Sequence, residues 1–253
     1  MTDAPPIVEM SHVRLSFDQK VILKDLNLSV APRERLVIMG QSGGGKSTTL
    51  RLILGILRPD SGSVKFKGEE VARMSRPRLN RMRRHIGMVY QYSALISSLS
   101  VRNNLALPLE ELTRKPEKEI DLIVDEKLTL VGMEDTRDYM PSELSGGMRK
   151  RIGLARALVL DPELILFDEP SAGLDPVASS VIDELIIALT EKTNATSIIV
   201  THEMESAFRI ATRMAMIYQG KIIEEDHPDR FRESSDPVVS QFVEGRTEGP
   251  IEA

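Results

Sequence analysis

The sequence predicts an α/β fold: a mostly parallel sheet covered by helices, an antiparallel β-subdomain at the N-terminus and an inserted helical subdomain. Three observations carry it. Short, predominantly apolar runs without alternation read as strands buried on both faces, among them RLVIMG at 35–40, LILF at 164–167 and SIIV at 197–200. Helix-period segments alternate with them. The first thirty residues instead alternate apolar with polar, as a half-wet antiparallel pair does.

The elements follow in order. Ile7 to Phe17 and Val21 to Val30 are the antiparallel pair. The run at 35–40 enters QSGGGKSTTLRLILGIL, glycine-rich and then helical, with Leu50, Leu54 and Leu57 on one face. Pro59 to Gly62 is a turn, and short strands follow at Ser63–Phe66 and Ile86–Tyr90. From about Ser93 to Leu160, apolar residues recur at three-to-four spacing, the mark of helices. LILFDEP is then a strand, PVASSVIDELIIALTEK a helix, ATSIIVTHE a strand and ESAFRIA a short helix. RMAMIYQGKIIEE reads as a hairpin around Gln219-Gly220. The tail is expected to open with a short helix and then fray. The boundaries so read are 1–91 with 161–235 for the core, 92–160 for the helical subdomain and 236–253 for the tail, all in one domain of 253 residues.

Composition narrows the function. The net charge of −5 argues against a nucleic-acid-coating protein, and the lack of tryptophan, with 4% aromatics, argues against base-stacking platforms. There are no cysteines, which excludes disulfides and thiolate metal sites. No window approaches the ~18 consecutive apolar residues that crossing a bilayer demands. MTDAPPIVEM does not have the basic start and apolar stretch of a signal peptide.

GQSGGGKS at 40–47 matches the phosphate-loop pattern in full. Gly40, Gly43, Gly44 and Gly45 let the backbone wrap an anion, and the following helix points its positive end there. Lys46 reaches the β- and γ-phosphates, the Ser47 hydroxyl can ligate Mg2+, and Ser42 and Thr48 complete the nucleotide-binding set. LILFDEP puts Asp168 and Glu169 at the carboxyl end of a buried strand, where parallel sheets collect ligands. Asp168 suits Mg2+ held through water, and Glu169 suits polarising the attacking water. LSGGM at 144–148 opens a second helix built to meet an anion, capped by Ser145 with Gly146 and Gly147 behind it. Leu154, Ala155 and Leu158 form its apolar face, with Arg149, Lys150, Arg151 and Arg156 assigned to the remainder.

In their order along the chain these motifs resemble the ABC-type ATPases, the nucleotide-binding subunits of ABC transporters. The resemblance implies the ABC ATPase variant of the P-loop NTPase fold, with ATP and Mg2+ as cofactors. It implies that Phe17 stacks on adenine and that Gln91 contacts Mg2+ or the water. It also implies that His202 bonds the γ-phosphate beside Glu169, and that Asp175 in SAGLD contacts a second subunit. Asp175 also reads as an N-cap for the helix starting at Pro176. Two chains would pair head to tail as a homodimer with two composite sites, each ATP held by the phosphate loop of one and by Ser145, Gly146 and Gly147 of the other.

The signature departs from the family's usual closing glutamine, with Met148 in that place. QYSALISSLSVRNNLALPL, MPSELSGGMRKR and DPVVSQFVEGRTEGP resemble the Mla or Mkl lipid-transporting branch, where this methionine is usual. That implies a separate membrane permease, a membrane-anchored lipid-binding protein of the mammalian-cell-entry type, no nucleic acid, and a place on the cytoplasmic face of the inner membrane. The permease's coupling helix is expected against roughly Tyr92 to Leu99. An importer motor for a small polar solute is the alternative; a soluble ABC protein is disfavoured by the single cassette. The six arginines of RMSRPRLNRMRRH at 73–85 read either as a solvated face or as a patch for an anionic surface.

Overall fold

The computed structural model describes residues 5–251. They gather into two compact units, one running up to Leu79 and resuming at Thr196, the other Asn80–Ala195. In the first, β1 (Val8–Phe17) and β2 (Lys20–Val30) pair antiparallel, with Val8 opposite Val30 and Phe17 opposite Lys20. Alternation buries Val8 and Met10, then changes phase to bury Val13 and Leu15. The slip falls where the pairing is irregular and His12 has φ 51°, as one extra residue in a strand requires. β3 (Arg35–Met39) leads through the glycine-rich loop into α1 (Lys46–Ile53). β4 (Ser61–Phe66) pairs antiparallel with β1, and the two-residue β5 (Glu69–Glu70) with β4.

The arginine-rich stretch contains α2 (Arg76–Arg83), which spans the division between the units. Met82 is its one buried residue, so no apolar stripe announces this helix in the sequence. In the second unit, β6 (Ile86–Val89) pairs parallel with a later strand. Between them come α3 (Val101–Leu112), α4 (Glu117–Leu130) and α5 (Gly146–Leu158), which pack on one another and bury Leu105, Val124, Leu128 and Leu154. That later strand is β7 (Leu164–Asp168), in register Ile86 with Leu164 through Val89 with Phe167. α6 (Pro176–Thr193) follows.

The chain returns to the first unit as β8 (Thr196–Val200), α7 (Met204–Ile210), the hairpin β9 (Arg213–Tyr218) and β10 (Lys221–Asp226), then α8 (Pro228–Arg232) and α9 (Pro237–Glu244). β3 runs parallel to β8 on one side and to β9 on the other, so Leu36, Val37, Ile38 and Met39 are wholly buried. Each such side chain contributes about 1.5–3 kcal/mol relative to exposure, which anchors the loop leaving the end of β3.

The tail departs from expectation. It does not fray after α9, because the buried Gln241 holds it. The side chain of Gln241 accepts from the Ile251 amide at 2.7 Å and donates to the carbonyls of Ile251 (3.1 Å) and Arg246 (3.3 Å). The Tyr218 hydroxyl donates to the Pro250 carbonyl at 3.0 Å.

Candidate functional site

The phosphate loop lies in the first unit. Gly40, Gly43 and Gly45 all have positive φ, at 145°, 77° and 103°. At Gly40 a Cβ would stand 2.2 Å from the Ile217 carbonyl oxygen, so the loop leaves β3 against the backbone of β9 with no room for any other residue. Gly45 is the left-handed residue before α1, and the Gly44 amide closes a turn on the Gln41 carbonyl at 3.0 Å. Lys46 is buried, and its ammonium donates back to the carbonyls of Gly40 at 2.7 Å and Gln41 at 3.2 Å. The cation thus rests inside the arch, beside the amides at the start of α1. Ser47 and Thr48 are half-buried in the first turn of α1, and Ser42 is exposed.

His202 is exposed just after β8. It lines a cleft of about 450 Å3 together with Gly40, Gln41 and Ser42. The remaining walls of that cleft include Phe242, Arg246 and Ile251 of the tail, which the sequence reading did not associate with the loop. Phe17 ends β1 half-exposed (44%) beside a turn at Asp18, as an aromatic left open for stacking would be.

The second unit carries the carboxylates. Asp168 is the last residue of β7 and Glu169 follows it, both part-buried after four fully buried strand positions. Glu169 has φ 52°, a left-handed conformation unusual for a residue with a Cβ. Its carbonyl accepts from the Ala172 amide at 3.3 Å. Gln91 is part-buried after β6, followed by two more left-handed residues, Ser93 (φ 60°) and Ala94 (φ 48°). Arg156 pins this turn, donating to Ser93 O at 2.8 Å and Ala94 O at 2.7 Å, and burial pushes its pKa below the usual arginine value.

Ser145 caps α5, its hydroxyl accepting from the Met148 amide at 3.2 Å, and Ser145 and Gly146 are exposed. A Cβ on Gly147 would touch nothing within 4 Å. Asp175 caps α6, one carboxylate oxygen accepting from the amides of Val177 and Ala178 at 3.0 Å each. A second cleft, of about 240 Å3, is lined by Tyr90, Pro108, Leu112 and Arg156 among others, and by none of Tyr92 to Leu99. Tyr92 itself is 86% exposed.

Two residues were not picked out from the sequence. Asn104 is buried and stitches the segment before α3, donating to Ile96 O, Leu99 O and Ser100 O and accepting from Ile96 N. Lys150, assigned to the polar side of its helix, is buried, and its ammonium donates to the carbonyls of Gln91 and Glu169. The signal was present: Lys150 precedes the buried Leu154 and Leu158 at intervals of four, on their stripe.

Comparison with known proteins agrees with these motifs. The profile of the ABC transporter family matches residues 23–172. The intermembrane phospholipid transport system ATP-binding protein MlaF of Haemophilus influenzae is 41% identical over 245 residues, covering 97% of this chain and 93% of that protein. The probable ribonucleotide transport ATP-binding protein mkl of Mycobacterium tuberculosis is 41% identical over 244 residues, 96% of this chain and 68% of that protein. Among solved structures, the dimeric post-hydrolysis state of the ATP-binding cassette MJ0796 bound to ADP and Pi superposes with TM-score 0.79 at 30% identity, covering 87% of this chain and 98% of that one. The chain belongs to the ABC transporter family, as an ATP-binding and ATP-hydrolysing member of it.

Proposed function

We propose that this ATPase is the motor subunit of a transporter that moves phospholipid between membranes, working as a homodimer on the cytoplasmic side of a separate permease. The single observation that carries the cargo is the 41% identity, over nearly the full length of both chains, to an ATP-binding protein of a phospholipid transport system. No helix among the described residues is long and apolar enough to cross a membrane.

The residue roles are these. The loop amides and Lys46 bind the ATP phosphates, and Phe17 stacks on the base. Glu169 polarises water, with His202 orienting it. Ser47, Gln91 and Asp168 offer hard oxygen donors of the kind Mg2+ prefers. Among the described residues no group of three His, Cys, Asp or Glu could hold a metal ion. Mg2+, when bound by these oxygen donors, would supply charge neutralisation to the phosphates.

Dimerisation draws support from α5. Gly147 sits at ordinary helical φ in open space, where glycine costs about 1 kcal/mol against alanine. Nothing among the described residues requires it, whereas close approach of a second subunit's nucleotide would. Ser145 and Gly146 are exposed beside it.

A motor for a polar solute is the second reading, and the description of the mkl relative as a probable ribonucleotide transport protein favours it. Affinity purification of the chain with its membrane partners separates the two. Bound phospholipid and a mammalian-cell-entry-type subunit support the lipid assignment; a soluble solute receptor in their place overturns it.

A further inference from the structure

Building on the reading of Glu169 as the base, we propose that Lys150 is a positioning residue for ATP hydrolysis, tying the Gln91 carbonyl to the Glu169 carbonyl through one buried ammonium. Lys150 is 6% exposed. A buried ammonium is costly unless its protons are bonded, and a leucine or methionine would fill the same stripe more cheaply. The ammonium is therefore kept for its bonds. One goes to Gln91 O, 59 positions away in sequence, and another to Glu169 O, 19 positions away, at 3.3 Å.

Both bonds fall on backbone that needs holding. Glu169 is left-handed at φ 52°, a conformation that a residue with a Cβ leaves readily. The rotation at that residue sets the direction of its Cα–Cβ bond, and hence where its carboxylate stands. Lys150 Nζ and the Ala172 amide hold the peptide that fixes this rotation. Gln91 opens the segment with the left-handed Ser93 and Ala94. Lys150 lies just over one turn into α5, whose cap is Ser145 of the signature. A shift of α5 therefore moves the Gln91 segment and Glu169 together, linking signature engagement to the placement of the base.

The test is steady-state ATPase kinetics and nucleotide binding on the full chain carrying Lys150→Met, Lys150→Gln and Glu169→Gln, with the Lys150→Met/Glu169→Gln double variant. Lys150→Met is expected to lower kcat by about 10–100-fold, the scale for a base misplaced by an ångström, with nucleotide Kd within about twofold of the parent. Lys150→Gln, which keeps donors, should fall between. On the Glu169→Gln background, Lys150→Met should cost nothing more, because it acts through that residue. A parent-level kcat for Lys150→Met, a loss confined to Kd, or full additivity in the double variant overturns the proposal. If Lys150→Met shows no cooperative unfolding transition, Lys150→Gln decides: lowered kcat at unchanged Kd supports it, and parent kcat refutes it. Parent-level turnover by Glu169→Gln sinks the base assignment itself, a result distinct from any failure at Lys150.

Discussion

The guanidinium of Arg156 donates to the carbonyl oxygen of Ser93 at 2.8 Å, so a helix residue far along the chain fixes the left-handed turn that follows Gln91. The Ala94 carbonyl takes a second bond from the same group at 2.7 Å. Gly153, one turn earlier on α5, leaves only 3.3 Å between an added Cβ and that of Ser93, so the turn lies close against the helix. Hydrogen bonds from charged groups contribute about 1.5–3 kcal/mol each, so Arg156→Ala should lower stability by about 2–4 kcal/mol once partial solvation of the freed carbonyls is allowed for. A urea midpoint shifted down at unchanged m-value is the expected outcome; an unchanged midpoint would show that the turn holds without Arg156.

Lys46→Ala should weaken ATP binding by about 10–100-fold, the equivalent of one charged hydrogen bond. The loop should survive, since Gly40 and Gly45 set its shape and the Gly44–Gln41 bond remains. Titration with a fluorescent ATP analogue reads the affinity, and a circular dichroism melt checks the fold.

Glu169→Gln should retain ATP while losing turnover by about 10²-fold or more, as removal of a positioned general base does. With hydrolysis blocked, ATP should hold two chains together. Light scattering in ATP and Mg2+ should report a dimer for the variant and predominantly monomer in ADP. A variant that stays monomeric at saturating ATP would count against the composite site.

Glu225 supplies a pH test. Burial pushes its carboxyl above the ordinary 4.5, Arg213 at 2.5 Å opposes the shift, and Glu34 adds to it. The folded chain therefore holds this proton to higher pH than the unfolded chain does. The associated stability is fully present below 4.5 and is lost as pH rises through the folded-state value. Glu225→Gln cannot ionise, so parent stability should decline relative to the variant over that window and keep a constant difference from it above. Paired denaturation curves at stepped pH measure the difference.

Much of the molecule was legible in the chain because local chemistry dictates it. Apolar runs of strand length without alternation suit strands with both faces covered, and β3, β7 and β8 are such strands. Glycine at 40, 43 and 45 permits the positive-φ arch observed, which residues with a Cβ adopt only under strain. Ser145 and Asp175 are helix caps because their short oxygens reach free amides.

What only the tertiary structure decided depends on residues brought together from distant positions. The burial of Lys150 and its sharing between Gln91 and Glu169 requires three separate segments to meet, and no periodicity encodes such a meeting. The left-handed state of Glu169 is likewise invisible in LILFDEP, since glutamate has no intrinsic preference for it and the surrounding bonds impose it. α2 gives no sequence signal because one buried methionine in eight residues leaves nothing to count. The tail, read as fraying, is folded back because a single amide side chain at Gln241 satisfies backbone groups up to ten residues ahead. Sequence determines each local preference; which distant partner satisfies each buried polar group is decided by packing.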